Sequence, residues 1–426
     1  MNLAVDQQRL LSELTELATF TEPAAEGAVK PGDTAVTRIV FSERDREARA
    51  WLASKAQAAG LSTRTDAVGN AFFRWEGSSP ELPGVATGSH IDAIPNAGMY
   101  DGTVGVLGGL EAIRALQASG FQPKRSLELI LFTSEEPTRF GIGCLGSRLM
   151  SGTMTSDAAA KLRDKQDHTL EEVRNAAGFC GDLASVRLER GHYSAFVELH
   201  IEQGPILEQE QLPIGIVTAI AAPAAATITI TGLGGHAGAM LMPTRKDALA
   251  AAAEVILAVE SAAIAPVSNG QAAIDAVATV GLCDVFPGAV NSVPSRVRLS
   301  LDARDIDLSR RDAMLQAIND ACRDIAAKRG VDITVEMLNA DAPATCSPAI
   351  LAAITDACAA TATPNRRLVS RAYHDSLFMA RICPIAMIFI PCRGGVSHRP
   401  DEFSTPESIA TGTRILANTL ATLSLS

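Results

Sequence analysis

The sequence contains no basic tract, no long apolar run and no closely paired cysteines, and each absence excludes a class of function. Acidic residues outnumber basic ones by 48 to 37, and the formal net charge of −11 argues against nucleic acid as a partner. No apolar run approaches the roughly 18 residues that a membrane-spanning helix needs. The first 17 residues mix acids with apolar residues three or four positions apart, which predicts a surface helix rather than a signal peptide. We therefore expect a cytoplasmic protein.

The spacing of the cysteines and the small number of histidines both limit the possible chemistry. The eight cysteines form no C-x-x-C pair, so we interpret them as buried, reduced thiols rather than disulfides or a thiolate metal site. Only seven histidines are present, so any chemistry that uses imidazole must draw on this short set.

A chain of 426 residues is too long for one ordinary core and predicts two domains, or one domain with a large insertion. Continuous apolar patterns at 84–90 and 127–136 enclose a helical pattern that ends at Gly120. This alternation predicts a buried, largely parallel sheet covered by helices.

The middle of the chain has a different character. A polar–apolar alternation at 227–231, an alanine-rich helical stretch, strand patterns at 273–284 and 296–305, a helix at 308–328 and a closing strand give the order β-α-β-β-α-β. That order is typical of a ferredoxin-like α+β unit. We therefore predict a catalytic α/β domain over 1–215 and 339–426, interrupted by an inserted domain at 216–338.

Acids and histidines follow four of the predicted strands. In parallel α/β sheets, ligand-binding groups gather at the carboxyl ends of strands. Three apolar runs end in such residues, which are His90 and Asp92, Glu135 and Glu136, and His200 and Glu202. A fourth run leads to His398, and Asp101 stands at the start of the helix after the first run.

Histidine and carboxylate ligands without cysteine suit divalent Zn²⁺, Mn²⁺ or Co²⁺. An acid shared between two cations holds them about 3.5–4 Å apart. Of a glutamate pair, one member can bind metal while the other acts as general base toward water. Asp92 can accept the second ring N–H of His90 and so orient it.

Six motifs carry a family resemblance over about residues 39–406: GSHIDAIPNAGMYDG, FTSEEPTRFGIGCLGSR, ELHIEQGPILE, GGHAG, NSVP followed by DARD, and SRAYHDSLFMA. The chain resembles the M20-type metallo-amidohydrolases, in the branch of N-carbamoyl amino acid, allantoate and ureidoglycolate amidohydrolases. Ordinary peptidases of this type have a carboxylate where His200 stands. SEEPTRFGI and the tyrosine of AYHDS look most like the ureidoglycolate amidohydrolases.

The resemblance implies a zinc-exopeptidase-like catalytic domain with an inserted lid and dimerisation domain, in a homodimer. It also implies two divalent cations, with manganese favoured and zinc, cobalt or nickel as alternatives. By position, His90, Asp101 and His200 bind one cation. Asp101, Glu136 and His398 bind the other, and Asp101 bridges the two.

The remaining site residues come from the same resemblance. Glu135 is the base, and His236 in GGHAG reaches a neighbouring subunit's site. The substrate-binding set comprises Gln203, Asn291, Arg304 and His374, with Tyr373 as a selector of substrate.

Each of these residues also has a plainer interpretation. Gln203 and Asn291 could cap loops, and His374 could be a core histidine. Arg304 could pair with Asp302 or Asp305. The glycines around His236 could only make a tight turn.

The implied reaction is hydrolysis of the ureido C–N bond of a small carboxylated ureide, (S)-ureidoglycolate first, to glyoxylate, ammonia and carbon dioxide. Allantoate and N-carbamoyl-L-amino acids or N-carbamoyl-β-alanine are alternatives, because the walls of the pocket choose among these substrates and the sequence does not show their shape. Gly394 and Gly395 in CRGGVSH depart from the ureidoglycolate pattern and leave that loop open to other substrates. Rivals from other classes are an aminoacylase or dipeptidase, which predicts a carboxylate in place of His200, and a non-catalytic binding protein, which predicts a missing base or ligand.

Overall fold

The computed structural model describes residues 3–24, 29, 30, 32–264 and 275–426, which belong to two compact units. Unit 1 comprises the chain up to Thr218 together with Thr345–Ser370 and His374–Ser426. Unit 2 comprises Ala219–Ala344 and Arg371–Tyr373. The unit boundaries lie a few residues beyond the expected 215/216 and 338/339, and the short segment that contains Tyr373 groups with unit 2.

The strands of the described residues are numbered in chain order. They are β1 Val36–Arg38, β2 Ser62–Thr65, β3 Ala71–Trp75, β4 Gly84–Ser89, β5 Ala93–Ala97, β6 Leu127–Leu131, β7 Tyr193–Ile201, β8 Ile214–Ile220, β9 Ala222–Thr231, β10 Gly235–His236, β11 Val277–Thr279, β12 Cys283–Phe286, β13 Ser292–Val293, β14 Arg296–Asp305, β15 Asp332–Ala340, β16 Ala344–Thr345, β17 Asn365–Ser370 and β18 Ile385–Ile390.

The α-helices are numbered in the same way. They are α1 Gln7–Ala18, α2 Glu43–Ala58, α3 Thr103–Ala118, α4 Leu145–Ser151, α5 Ser156–Ala159, α6 Leu170–Ala176, α7 Ile206–Gln209, α8 Ala248–Ile264, α9 Leu308–Arg329, α10 Pro348–Ala360, α11 Asp375–Met379 and α12 Pro406–Leu425. No helix of the described residues is both long and apolar enough to cross a membrane.

Unit 1 is built on a mixed sheet with the strand order β16-β8-β18-β7-β4-β6-β3-β2, and β17 also pairs with β8. The parallel pairs are β18–β7, β7–β4 and β4–β6, which form the centre of the sheet. Every residue of β4, β6 and β18 is buried. Strands buried on both faces require the continuous apolar sequence that these segments have. The predicted mixed α/β fold is confirmed, with parallel pairing among the four central strands and antiparallel pairing of β18 with β8 and of β3 with β6 and β2.

Helix α3 lies close against this sheet and sets the position of the loop before it. A Cβ added to Gly105 would lie 2.4 Å from the carbonyl oxygen of Leu199 on β7, so only glycine allows this approach. Helix α12 packs against the same helix. The N-terminus of α3, where Asp101 lies, is thereby held at the carboxyl ends of β4 and β7.

The N-terminal helix and the cysteines test two further predictions. Helix α1 forms as predicted, with Asp6 accepting a hydrogen bond from the Arg9 N–H as its N-cap. All eight cysteines are free, and six are buried. The prediction of burial is wrong for Cys180 and Cys283, which are exposed because one lies in a loop after α6 and the other in the short, mostly exposed strand β12.

Unit 2 contains an antiparallel sheet of order β11-β14-β9-β15, in which β12 also pairs with β14. Helices α8 and α9 contribute to the same apolar core, which includes Ile228, Val255, Leu299 and Ile318. The elements follow the predicted β-α-β-β-α-β order. The strand expected over 273–284 is two short strands, and residues 273 and 274 lie outside the described part of the chain.

Candidate metal centre

The predicted metal ligands lie in unit 1, where four adjacent strands end. His90 follows β4, Glu136 follows β6, His200 lies near the end of β7, and His398 is in the loop after β18. These strands are neighbours in the order β18-β7-β4-β6, so their carboxyl ends meet at one edge of the sheet. Asp101, just before α3, lies among them.

The first cluster consists of His90, Asp101 and His200, and all three side chains are buried. Asp101 Oδ1 lies 3.1 Å from His200 Nε2 and 3.8 Å from His90 Nε2. One potential ligand atom from each residue lies within 4.8 Å of those of the other two.

The second cluster uses the other oxygen of the same aspartate. Asp101 Oδ2 lies 3.0 Å from His398 Nε2, which is 3.2 Å from Glu136 Oε1. Asp101 therefore presents one carboxylate oxygen to each cluster. The carboxylate has the placement of a ligand that bridges two cations.

The donor chemistry fits divalent cations. Both clusters combine imidazole nitrogen with carboxylate oxygen and include no thiol, which suits Zn²⁺, Mn²⁺ or Co²⁺. In the metal-free protein the imidazoles of His398 and His200 hold protons. Hydrogen bonds to Asp101 and Glu136 raise the pKa of His398 to about 11. Burial lowers the pKa of His200, but its hydrogen bond to Asp101 together with the charges of Asp101 and Glu198 raises the pKa to about 9.

The carboxylates of the centre experience opposing effects. Burial by itself raises the pKa of Asp101, but hydrogen bonds with His200 and His398, together with the charges of His200 and His90, hold the pKa well below its usual range. For Glu136, burial raises the pKa and the hydrogen bond with His398 only partly opposes it. An acid kept ionised between two imidazoles is a strong cation ligand.

Glu135 stands beside the first cluster but belongs to neither. Its Oε2 lies 3.7 Å from His90 Nε2, and its Oε1 accepts a weak hydrogen bond from Cys144 Sγ at 3.4 Å. Burial and the neighbouring charge of Glu136 raise the pKa of Glu135 well above its usual value. A carboxyl whose pKa is raised binds a proton more readily than an ordinary glutamate and can return it.

Asp92 positions the glutamate pair rather than the His90 ring, which corrects the expected side-chain contact. His90 Nδ1 lies 3.0 Å from the main-chain carbonyl of Asp92 and 3.8 Å from its carboxylate. The carboxylate instead accepts the backbone N–H groups of Glu135 (3.2 Å) and Glu136 (3.0 Å). Burial and the charge of Asp45 raise the pKa of Asp92 to about 7.

His374 is buried directly beside the first cluster. Its ring centroid is 4.6 Å from that of His200, and its Nε2 is 2.8 Å from Ser370 Oγ. Burial and the charge of His200 hold the pKa of His374 well below its usual value, so the ring is neutral. With Glu198 and His200 it forms a third group of potential ligands, which the sequence patterns did not indicate. Glu198 lies on the same face of β7 as His200, two residues earlier.

Two polar residues contact the bridging carboxylate. Gln203 Nε2 donates to Asp101 Oδ2 at 2.8 Å, and Ser397 Oγ lies 2.8 Å from the same oxygen. The other amide atom, Gln203 Oε1, is buried without a hydrogen-bond partner among the described residues. Ser397 also lies 2.8 Å from Glu402 Oε2, and burial with the charge of Asp101 raises the pKa of Glu402 to about 7. Sequence patterns had not indicated Ser397 or Glu402.

Two of the expected site residues are exposed in unit 2, His236 at the end of β10 and Asn291 just before β13. His236 is exposed, and its Nδ1 accepts the Gly238 N–H at 3.1 Å. In the neutral ring the proton is therefore on Nε2. Asn291 is also exposed, and its main-chain carbonyl accepts the N–H of Ala237 at 2.8 Å.

Two others are engaged within unit 2. Arg304 donates through Nε and Nη2 to both oxygens of Asp302, each at 2.8 Å, and through Nη1 to the carbonyl of Arg371 at 2.9 Å. The plainer alternative of an Asp302 pair is thus present, although the guanidinium retains two further N–H donors. The Tyr373 hydroxyl donates to Asp341.

Imidazole and carboxylate donors that converge on one shared acid, with a buried carboxyl beside them, define the class of metal-dependent hydrolases. Residues 86–422 match Peptidase family M20/M25/M40, and the chain belongs to this family. The membership predicted from the sequence motifs is confirmed.

The similar proteins include a ureidoglycolate hydrolase of Arabidopsis thaliana, 49% identical over 431 residues that span 100% of this chain and 88% of the relative. An N-carbamoyl-L-amino acid amidohydrolase of Geobacillus stearothermophilus is 38% identical over 417 residues, 98% of both chains. The crystal structure of AtUAH in complex with (S)-hydroxyglycine has a TM-score of 0.86 at 48% identity and covers 100% of this chain and 99% of that one. AtUAH has also been solved in complex with glyoxylate.

Gly102 is a residue of the centre that sequence reasoning missed. It has φ +66°, and a Cβ added there would lie 2.4 Å from His90 Nε2. Gly102→Ala is expected to displace His90 and lower the affinity of the metal-free protein for Mn²⁺ by about 10-fold or more, measured by equilibrium dialysis.

Gly120→Ala is the matched control, because Gly120 has φ +77° with no atom within 4 Å of the added Cβ. It should cost only the backbone strain of roughly 1 kcal/mol and leave Mn²⁺ affinity unchanged. Equal Mn²⁺ affinities for the two variants would contradict the predicted contact with His90.

Proposed function

We propose that the protein is a cytoplasmic, homodimeric amidohydrolase that uses two divalent cations to hydrolyse the ureido C–N bond of (S)-ureidoglycolate. The observation that carries the reaction type is Asp101 shared between two histidine–carboxylate clusters, with Glu135 beside them. The substrate is supported by 49% identity with a ureidoglycolate hydrolase over the whole chain, and by the ligands of the AtUAH structures.

His90, Asp101 and His200 would hold one cation, and Asp101, Glu136 and His398 the other. Manganese is favoured, with zinc, cobalt or nickel as alternatives, since such ligand sets accept several metals and cellular supply often decides. When bound, such cations supply Lewis-acid polarisation of the substrate carbonyl and acidify water.

Glu135 takes the proton of the attacking water and delivers it to the departing nitrogen. The raised pKa of Glu135 suits both steps, because the carboxyl must accept the proton from water and keep it until the proton passes to the departing nitrogen. Asp92 keeps Glu135 and Glu136 in separate roles by accepting the backbone N–H of each.

Atom balance gives the course of the reaction. Water adds to the ureido carbonyl and the terminal nitrogen leaves as ammonia, which gives a carbamate. The carbamate loses carbon dioxide and leaves (S)-hydroxyglycine. Loss of a second ammonia from hydroxyglycine gives glyoxylate. The proposed substrate therefore yields two ammonia molecules per glyoxylate, whereas an N-carbamoyl amino acid yields one ammonia and an amino acid.

Arg304, Asn291, Gln203 and His374 would hold the substrate, with Tyr373 as a selector. Two N–H donors of Arg304 remain for a substrate carboxylate, and a planar guanidinium suits its two oxygens. Such attraction must be local in a chain of net charge −11.

The rival classes conflict with particular residues. An aminoacylase or dipeptidase would need a carboxylate at position 200, where His200 stands. A non-catalytic binding protein would lack the base or a ligand, and all of these residues are present. Within the class, allantoate and N-carbamoyl amino acids remain the alternative substrates.

The substrate is tested by ammonia release from purified, Mn²⁺-loaded protein. The panel comprises ureidoglycolate, allantoate, N-carbamoyl-β-alanine and several N-carbamoyl-L-amino acids. We expect the highest kcat/KM for (S)-ureidoglycolate, with two ammonia molecules for each glyoxylate. A chelator-stripped sample is the control, and a higher kcat/KM on allantoate or on an N-carbamoyl amino acid would reject the assignment.

Glu135→Gln is expected to lower kcat by about 10²-fold or more, because the amide cannot accept the proton of water. Its content of bound metal, measured by elemental analysis, should stay near that of the parent, since Glu135 belongs to neither cluster. Glu136→Gln is the matched neighbour and should lose metal as well as rate. Turnover of Glu135→Gln near the parent rate would remove Glu135 from the mechanism.

His236 would donate through Nε2 to the tetrahedral oxyanion in a neighbouring subunit's site. His236→Ala should therefore lower kcat by about 100-fold, whereas His168→Ala, at another exposed histidine, should not change it. In a two-fold dimer each site would use Glu135 of its own chain and His236 of the other chain. When His236→Ala and Glu135→Gln chains are refolded together, each mixed dimer therefore has one intact site. The mixture should recover about one quarter of the parent rate. Absence of recovery would place His236 outside the partner's site, and an unchanged rate for His236→Ala would leave it as a turn residue.

A further inference from the structure

We propose that Glu402 is a positioning residue that fixes the bridging carboxylate of Asp101 and the loop of His398 relative to each other. The inference rests on the two-cation centre proposed above. Glu402 is only 4% exposed and follows His398 by four residues, yet it belongs to neither ligand cluster. Its contacts reach a part of the chain about 300 positions earlier.

The first carboxylate oxygen of Glu402 holds the backbone before α3. Oε1 accepts the N–H of Tyr100 at 2.8 Å and the N–H of Asp101 at 3.1 Å. Buried N–H groups need an acceptor, and here one carboxyl oxygen supplies it for two consecutive residues. The main chain of the bridging aspartate is therefore held by Glu402 Oε1.

The second oxygen reaches the side chain of the same aspartate through Ser397. Oε2 and Ser397 Oγ are 2.8 Å apart, and Ser397 Oγ is 2.8 Å from Asp101 Oδ2. Ser397 immediately precedes His398. One carboxylate thus contacts the backbone of the bridging ligand and, through one hydroxyl, both its side chain and the segment that carries the next ligand.

The two loops also meet through packing at adjacent residues. A Cβ added to Gly98 would lie 2.3 Å from the Cβ of Glu402 and 2.4 Å from its Oε1, so the earlier loop lies directly on this carboxylate. The rings of Tyr100 and Phe403 pack edge to face at 6.0 Å. The fit leaves no room for Glu402 to move toward Gly98.

His398 needs such a tether more than the other ligands do. Its side chain is 45% exposed, whereas those of His90 and His200 are buried, so core packing does not define its position. Its φ is +60°, in the left-handed region that non-glycine residues rarely adopt. The loop is closed by the Arg393 N–H, which donates to the carbonyl of Phe403 at 2.8 Å. Glu402 is next to this closure and joins it to Asp101.

The expected consequence is selective. Loss of Glu402 should weaken the cluster of Asp101, Glu136 and His398, since Asp101 and His398 come from the two loops that Glu402 joins. The cluster of His90, Asp101 and His200 should be less affected, because two of its members are fixed by β4 and β7. Partners of metal ligands typically change affinity by about 10–100-fold. A residue that only stabilised the fold would instead affect both clusters together.

The experiment measures Mn²⁺ binding to chelator-stripped full-length protein by equilibrium dialysis and by electron paramagnetic resonance. We expect two cations per chain in the parent and a spin-coupled pair signal. In Glu402→Ala, one cation should bind about 10–100-fold more weakly and the coupled signal should be replaced by that of isolated Mn²⁺ at parent-saturating concentration. Glu402→Gln keeps an oxygen for both N–H groups and should recover most of the lost affinity.

Glu407→Ala is the control, since this acid is exposed in the first turn of α12 and should bind Mn²⁺ as the parent does. If Glu402→Ala does not fold, Gly98→Ala replaces it. The added Cβ at position 98 would displace the Glu402 carboxylate and should likewise weaken the binding of one cation selectively. Parent-like binding in these variants, or equal weakening of both cations, would overturn the role of Glu402 alone. Fewer than two cations in the parent would overturn the two-cation centre and the inference with it.

Discussion

The whole arrangement depends on one buried carboxylate that faces two imidazoles in opposite directions. Asp101 presents Oδ1 to His200 and Oδ2 to His398, and these contacts keep it ionised although burial favours its neutral form. A charge in such a place is stable only when it is matched by protons or cations on both sides. The rest of unit 1 can be understood as the structure that keeps this aspartate and its partners in place.

The fold contributes in two different ways. Buried parallel strands provide the rigid ligands, because the ends of β4 and β7 are set by sheet register and by apolar residues packed on both faces. Loops provide Glu136 and His398, and hydrogen bonds from neighbouring polar groups hold these loops. The Asp92 carboxylate accepts backbone N–H groups of the glutamate pair, and the Glu402 carboxylate accepts the backbone N–H of Asp101. Asp92 and Glu402, which lie outside the ligand clusters, thus each order a segment that carries a ligand.

The predictions succeeded where a pattern was local and failed where a contact was distant. The alternation of apolar strands and helices was enough to predict the mixed α/β fold. Residue type at strand ends was enough to nominate His90, Glu136 and His200 as candidate ligands, whereas the division of the ligands into two clusters that share Asp101 came from the family resemblance. The carboxylate of Asp92 was assigned to the wrong partner, because the choice between a ring and two N–H groups depends on the path of the loop after β6. Glu402 was missed because its partner Asp101 is about 300 positions away in the chain.

The amino-acid sequence by itself determined which segments are buried, which residues could bind a cation and to which family the chain belongs. These properties follow from composition, periodicity and short motifs, which are local. Only the tertiary structure decided that Asp101 faces both clusters, that Gly102 leaves room for the His90 ring, and that Ser397 and Glu402 support the same carboxylate. Those facts depend on ångström-scale distances between residues far apart in the chain, and such distances arise only when the sheet and its loops are packed together.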